Sequence, residues 1–251
     1  MKLWHRLALF GVAAGLIFSC APAYAMHIPD GAFVDSWTTR ILLASGFALT
    51  VPIVLYGLYR LKKISTQQPE TKALVSLIGA GVFVISCVPF PIPLAGSCSH
   101  PCGTGLAAIL IGPSLTVVVS SVALALQALF LQHGGFTTLG LNTLSMGVAG
   151  AFSGYAIFKV VKRLSGSALA AAFLAGLLSD WATYGVTSLV LAIGAHGEKT
   201  IPQMTLAYVV AFSYTQIPLG LFEGFLSMGA YYFIRSRRPE LLTTLLQRSP
   251  A

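Results

Sequence analysis

An all-α integral membrane protein is the fold class this sequence predicts, on three observations. Of 251 residues, 56% are hydrophobic and only 9% charged. Mean hydropathy is +0.82, beyond the range of ordinary soluble domains. Long apolar runs alternate with short basic clusters, the pattern of spanning helices and their connecting loops. The net charge of +8 does not point to nucleic acid, because the basic residues sit in those clusters as topology signals. No soluble module is long enough to fold alone, and internal repeats are not evident.

The first 25 residues have the three parts of a signal peptide: a basic start (Lys2, Arg6), an apolar core from Leu7 to Phe18, and the small-x-small site Ala23-Tyr24-Ala25. Cleavage after Ala25 leaves residues 26–251 as one membrane domain beginning at Met26. Two other readings stay open at this point. One is an uncleaved first helix, and the other is a lipoprotein signal at Ile17-Phe18-Ser19-Cys20 with Cys20 acylated.

Apolar segments then cover approximately residues 37–59, 73–90, 103–131, 139–158, 168–195 and 205–234. Arg60, Lys62, Lys63 and Lys72 form one basic cluster, Lys159, Lys162 and Arg163 a second, and Arg235, Arg237, Arg238 and Arg248 a third. By the positive-inside rule these face the cytoplasm, with the C-terminus. Met26, residues 91–102, residues 132–138 and the loop at Lys199 then lie on the outer side.

This topology puts both ends of segment 103–131 on the outer side. Its residues, rising about 1.5 Å each, are too few for two crossings of an apolar layer about 30 Å thick. Gly112-Pro113 interrupts the run. The expectation is a broken or partly re-entrant helix pair near 103–131, giving about seven helical segments in the mature chain. Irregular backbone at membrane depth survives only where protein buries it or a cavity is lined, so a functional site is expected there.

The stretch PFPIPLAGSCSHPCGTG, residues 89–105, feeds that pair and carries four prolines and three glycines, which predicts an ordered loop with His100 inside it. AYAMHIPDG, residues 23–31, places His27 second from the new terminus. The Met26 α-amine, the His27 backbone nitrogen and a His27 ring nitrogen are spaced to bind one metal ion through fused chelate rings, with His100 as a fourth nitrogen donor. Such a nitrogen set suits Ni²⁺, Cu²⁺ or low-spin Co²⁺ better than Zn²⁺.

At these residues the chain resembles the CbiM/NikM family, the substrate-binding subunits of energy-coupling-factor transporters for cobalt and nickel. The resemblance is carried by MHIPDG (26–31), GSCSHP (96–101), GTGLAAILIGP (103–113), HGGFTTLGLNTLSMG (133–147), SDWATYGVTS (179–188) and TQIPLGLFEG (215–224), in that order. It implies an N-terminal segment tucked into the helix bundle, with the metal held by Met26, His27 and His100. Ser99 and Asn142 are implied as support around it. It further implies a multi-pass protein of the bacterial inner membrane that delivers cobalt for cobalamin biosynthesis. The implied partners are a CbiQ-like coupling subunit, CbiO-like ATPases and a small CbiN-like auxiliary subunit. No Gly-Lys pair occurs, so the P-loop route to ATP is closed to this chain. GSCSHP is closer to the cobalt members than to the nickel members.

The chain departs from the common family pattern at MHIPDG, where MHIMEG is frequent, and at Cys102, where threonine is usual. Cys98 and Cys102 flank His100, which keeps open a membrane metalloenzyme with a Cys-His-Cys zinc site, or a disulfide between the two. No HExxH motif and no general base accompany them. His133 reads as a loop-shaping or supporting residue, Cys87 as a small apolar one, and His196 and Glu198 as solvated. Asp180 and Glu223 fall within apolar runs, where acids are costly unless hydrogen-bonded or functional. Gly79, Gly81, Gly150 and Gly154 are candidates for close helix contacts.

Overall fold

The computed structural model describes residues 24–25, 28, 30–33, 35–88, 90–92, 97–239 and 241–242. The signal segment up to Ala23, Cys20 within it, and the ligand candidates Met26 and His27 lie outside the described residues, as does the side chain of Cys98.

Seven helices form the body: α1 (Trp37–Gln67), α2 (Glu70–Ser86), α3 (Thr104–Ile111), α4 (Pro113–Leu131), α5 (Leu139–Ser165), α6 (Ala168–Ala195) and α7 (Ile201–Arg237). Of these, α1, α4, α5, α6 and α7 are long and apolar enough to cross a membrane. The 17 residues of α2 reach about 25 Å, and the 8 residues of α3 only about 12 Å. The helix starts follow local chemistry. Ser36 caps α1 by accepting from Thr39 N–H, Ser167 caps α6 from Ala170 N–H, and Thr200 with Gln203 forms a capping box on α7.

The membrane all-α class and the helix count agree with the sequence expectation, with two refinements. Three short strands, β1 (Tyr24–Ala25), β2 (Phe90–Ile92) and β3 (Ser97–Ser99), make a small sheet in the order β1-β3-β2. β1 runs parallel to β3, with Ala25 opposite Cys98, and β2 runs antiparallel to it. The broken pair near 103–131 is also unequal. Arg60 near the basic end of α1 donates to Ser114 Oγ at 2.7 Å, so the Gly112-Pro113 turn sits at that basic end. The chain reaches it through the non-helical residues 99–103 and the half-length α3, and returns through the full-length α4. Gly112, at φ +83°, permits the reversal, and Pro113 starts α4 where no amide partner is needed.

α3 packs against both α5 and α6, while α6 lies along α7 for much of its length. Glycines make these approaches possible. A Cβ at Gly154 would stand 2.9 Å from Gly105 Cα, and one at Gly150 would stand 2.6 Å from Thr104 Oγ1. Gly79 sits behind Val119, whereas Gly81 faces open space. α5 carries a π-helical stretch, Thr143–Gly150, beside the α3 contact; such stretches recur at functional sites. Large apolar side chains such as Leu77, Phe130, Leu164 and Phe225 point outward, while Ser99, His100, Thr104, Ser179, Asp180 and Glu223 are buried. The outward surface is suited to lipid and the interior is partly polar.

α1 and α5 cross at a reciprocal glycine contact. A Cβ on Gly140 would lie 2.5 Å from Phe47 N, and one on Gly46 would lie 2.7 Å from Leu141 N. Gly140→Val therefore lowers the thermal unfolding midpoint in detergent, by a destabilisation of about 1–3 kcal/mol. Gly81→Ala, with nothing within 4 Å, leaves it unchanged.

Candidate metal centre

The loop from Ser99 to Gly103 lies at helix mid-depth, and side chains answer its polar backbone. His100 N–H donates to the Tyr184 hydroxyl of α6, which also lies 3.4 Å from the His100 carbonyl oxygen as its donor. Gly103 N–H donates to Glu223 Oε2 of α7 at 3.2 Å, and Cys102 N–H donates to Glu223 Oε1. Ser99 Oγ shares a hydrogen bond with Thr215 Oγ1 at 2.8 Å and accepts from Gln216 Nε2 at 2.7 Å. Gln216 is itself steadied, since its carbonyl accepts from Trp181 Nε1–H at 2.9 Å. A non-helical strand at this depth is stable because α6 and α7 replace the water it lacks.

His100 is fully buried. Its Nδ1 lies 2.9 Å from the Pro101 carbonyl oxygen. A carbonyl only accepts, so Nδ1 carries the proton and Nε2 carries the lone pair, the arrangement a metal-ligating imidazole needs. Burial pushes the His100 pKa down to about 4, so the ring is neutral at neutral pH and no proton competes for that lone pair. The His133 ring stands 5.0 Å from it, centroid to centroid. Burial, and then the neighbouring His100, push His133 down to about 3. The pair is neutral, which suits a site for a cation.

The segment bearing the proposed terminal ligands is fixed on both sides. Ala25 pairs with Cys98 in the sheet. Ile28 is gripped by Asn142: its N–H donates to Asn142 Oδ1 at 2.8 Å, and its carbonyl accepts from Asn142 Nδ2 at 3.1 Å. Thr138 Oγ1–H donates to the same carbonyl. The Ile28 side chain is buried with Phe33, Leu141 and Val190. Asp30 accepts from Phe136 N–H and Thr137 N–H at 3.2 and 3.0 Å, and from the Thr137 hydroxyl. Gly135 leaves room for that carboxylate, which a Cβ there would overlap.

Sequence reasoning singled out His100, Ser99, Asn142 and His133, and the structure brings His100 and His133 together, fixes Ser99 to α7 and sets Asn142 on the backbone next to His27. It missed Tyr184, Thr215, Gln216 and Thr138, which lie in the quoted blocks SDWATYGVTS, TQIPLGLFEG and HGGFTTLGLNTLSMG and were the available signal. Asp180 and Glu223 are hydrogen-bonded to the loop: Asp180 Oδ1 accepts from the Cys102 thiol at 3.8 Å, and Glu223 caps two loop amides. The Cys102 sulfur is thus grouped with these acids. His196 is exposed and bonds within its own loop, to the Gly197 and Lys199 carbonyls.

Comparison with known proteins places these features in a family. A family profile described as the cobalt uptake substrate-specific transmembrane region, CbiM, matches residues 27–241. The cobalt transport protein CbiM of Sorangium cellulosum is 50% identical over 220 residues, 88% of this chain and 96% of that protein. The protein of the same name from Geobacter sulfurreducens is 44% identical over 96% of this chain and 69% of its own length. In fold, the crystal structure of a truncated transition metal transporter superimposes with a TM-score of 0.71 at 23% identity, covering 84% of this chain and 98% of that one. The chain belongs to the CbiM family, the substrate-specific transmembrane component of cobalt uptake.

Proposed function

We propose that this protein is the metal-capturing subunit of an energy-coupling-factor importer, taking Co²⁺ from the outer side of the membrane as its cargo. The ion is held by the Met26 amine, the His27 amide and imidazole nitrogens, and His100 Nε2. The observation that carries this reading is His100 itself: buried, neutral and with its lone pair on Nε2, in a protein whose mature N-terminal segment is anchored at Ile28. The two residues ahead of that anchor in the mature chain, Met26 and His27, both carry donors.

Removal of residues 1–25 is part of the mechanism. A retained Ala25 would hold the Met26 nitrogen in a peptide bond and remove one donor. The β1–β3 pairing then belongs to the precursor, where it lays the cleavage site beside the loop that bears His100. The mature N-terminus and the loop face outward, and the basic ends of α1, α5 and α7 face the cytoplasm. Transport needs a CbiQ-like coupling subunit, CbiO-like ATPases and a CbiN-like auxiliary subunit, with cobalamin synthesis the destination of the metal. The same four nitrogens accept Ni²⁺, which the usual affinity order binds more tightly than Co²⁺, so supply sets the cargo.

One residue added before Met26 in the mature chain abolishes high-affinity Co²⁺ binding in equilibrium dialysis while circular dichroism stays unchanged. His27→Ala and His100→Ala lose the high-affinity Co²⁺ binding, and His196→Ala keeps it. Unchanged binding by the extended chain contradicts the terminal chelate. Asn142→Ala frees the backbone beside His27, and weakens Co²⁺ binding by about 10- to 100-fold with little change in unfolding temperature.

A further inference from the structure

A second set of metal-ligating side chains lies beyond the terminal chelate. Cys102, Asp180 and Glu223 are all buried, and one ligand atom from each, the sulfur and a carboxylate oxygen of either acid, fall within 4.8 Å of one another. They come from three elements: the end of the loop, the middle of α6 and the middle of α7. Donors around one ion stand roughly 3–4 Å apart, so closing on a metal needs about 1 Å of contraction.

No cationic side chain answers the charges of this cluster among the described residues. Residues 97–111, 168–195 and 201–234 contain no lysine or arginine, and neither acid has an ion-pair partner among the described residues. Glu223 spends one lone pair of each oxygen on a loop amide. Asp180 Oδ1 accepts from the Cys102 thiol, but Asp180 Oδ2 is buried with no hydrogen-bond partner. Two carboxylates held together at this depth require a proton between them or a cation. A thiol with two carboxylates is a donor set for a divalent first-row ion, and the two carboxylates alone neutralise its charge.

Position supplies the purpose. Going from the outer to the basic end, the loop meets α6 and α7 in order: Ser99 at Thr215, His100 at Tyr184, Cys102 at Asp180 and Glu223, then Thr104 at Ser179. Ser179 Oγ–H donates onward to the Gly150 carbonyl at 2.8 Å, at the end of the π-helical stretch. Polar donors therefore continue past His100 toward the basic end.

We propose that Cys102, Asp180 and Glu223 form a second, weaker site for a divalent transition metal, occupied after the cargo leaves His100. The identity of the cargo rests on the function proposed above, whereas the site itself does not. When the ion arrives, the Cys102 thiol proton passes to Asp180 Oδ1, which it already faces, and leaves from there to bulk water outside the bundle as the sulfur binds, and Asp180 Oδ2 gains the ion as its partner. A three-donor site without the chelate ring holds the ion loosely, as release requires.

The test uses the mature chain and its one-residue N-terminal extension, purified in detergent and titrated with Co²⁺. Metal is counted by equilibrium dialysis, and sulfur ligation is read from the thiolate-to-cobalt charge-transfer absorption. The extended chain is expected to bind one Co²⁺ with that absorption. In the extended chain, Cys102→Ser, which keeps a hydrogen-bonding group in place, removes the absorption and weakens binding at least about tenfold. Asp180→Asn also lowers occupancy, and Cys87→Ser changes nothing. A folded extended chain with no bound Co²⁺, or an absorption that persists in Cys102→Ser, overturns the second site; a proton shared by the two acids gives the first of these results. Failure of the terminal chelate is separate, because the mature and extended chains would then bind Co²⁺ equally.

Discussion

Burying five residues of non-helical chain inside a membrane bundle is the constraint on which the rest of this protein depends. A helix answers its own amides and carbonyls, whereas the loop 99–103 cannot, and neither lipid nor water is there to do it. Glu223 and Tyr184 are therefore fixed in place by need rather than by composition. The same need explains the polar interior of a chain that is apolar outside. It also explains why α3 is short: the first half of that passage is loop, and only the second half closes its own hydrogen bonds.

The constraint also prepares the proposed metal site. Held by backbone contacts on both sides, His100 has one orientation and one tautomer, so its Nε2 is presented without the cost of ordering it on binding. Asn142 does for the N-terminal segment what Tyr184 does for the loop: a single side chain satisfies both an N–H and a C=O of non-helical backbone. The two irregular segments are thus both held by side chains of a rigid bundle. Donors drawn from them are preorganised, although neither segment is a helix.

Much of this was legible in the sequence. Hydropathy and the Gly112-Pro113 break led to seven helices, and the proline and glycine density of 89–105 marked the loop. What was not legible follows from helices that are apolar on nearly every side. Without a polar stripe, sequence gives no rotational phase, so it does not say that Glu223 and Asp180 point at Cys102 instead of at hydroxyls of their own neighbourhood. Likewise α1 extends past Arg60, Lys62 and Lys63 to Gln67, because charged side chains end an apolar run without ending a helix. Gly81 looked like a packing residue beside Gly79, but a spacing of two puts the pair on different sides of α2.

The central claim is that proteolysis creates a ligand. Intact-mass spectrometry of the purified protein under non-denaturing conditions, with its N-terminal residue sequenced and its metal identified together, tests it most directly. A chain that starts at Met26 and retains one cobalt or nickel ion through purification, held far more tightly than by the unprocessed form, is the result this account predicts. Metal retained equally by a chain still carrying residues 1–25, or acylated at Cys20, would contradict it.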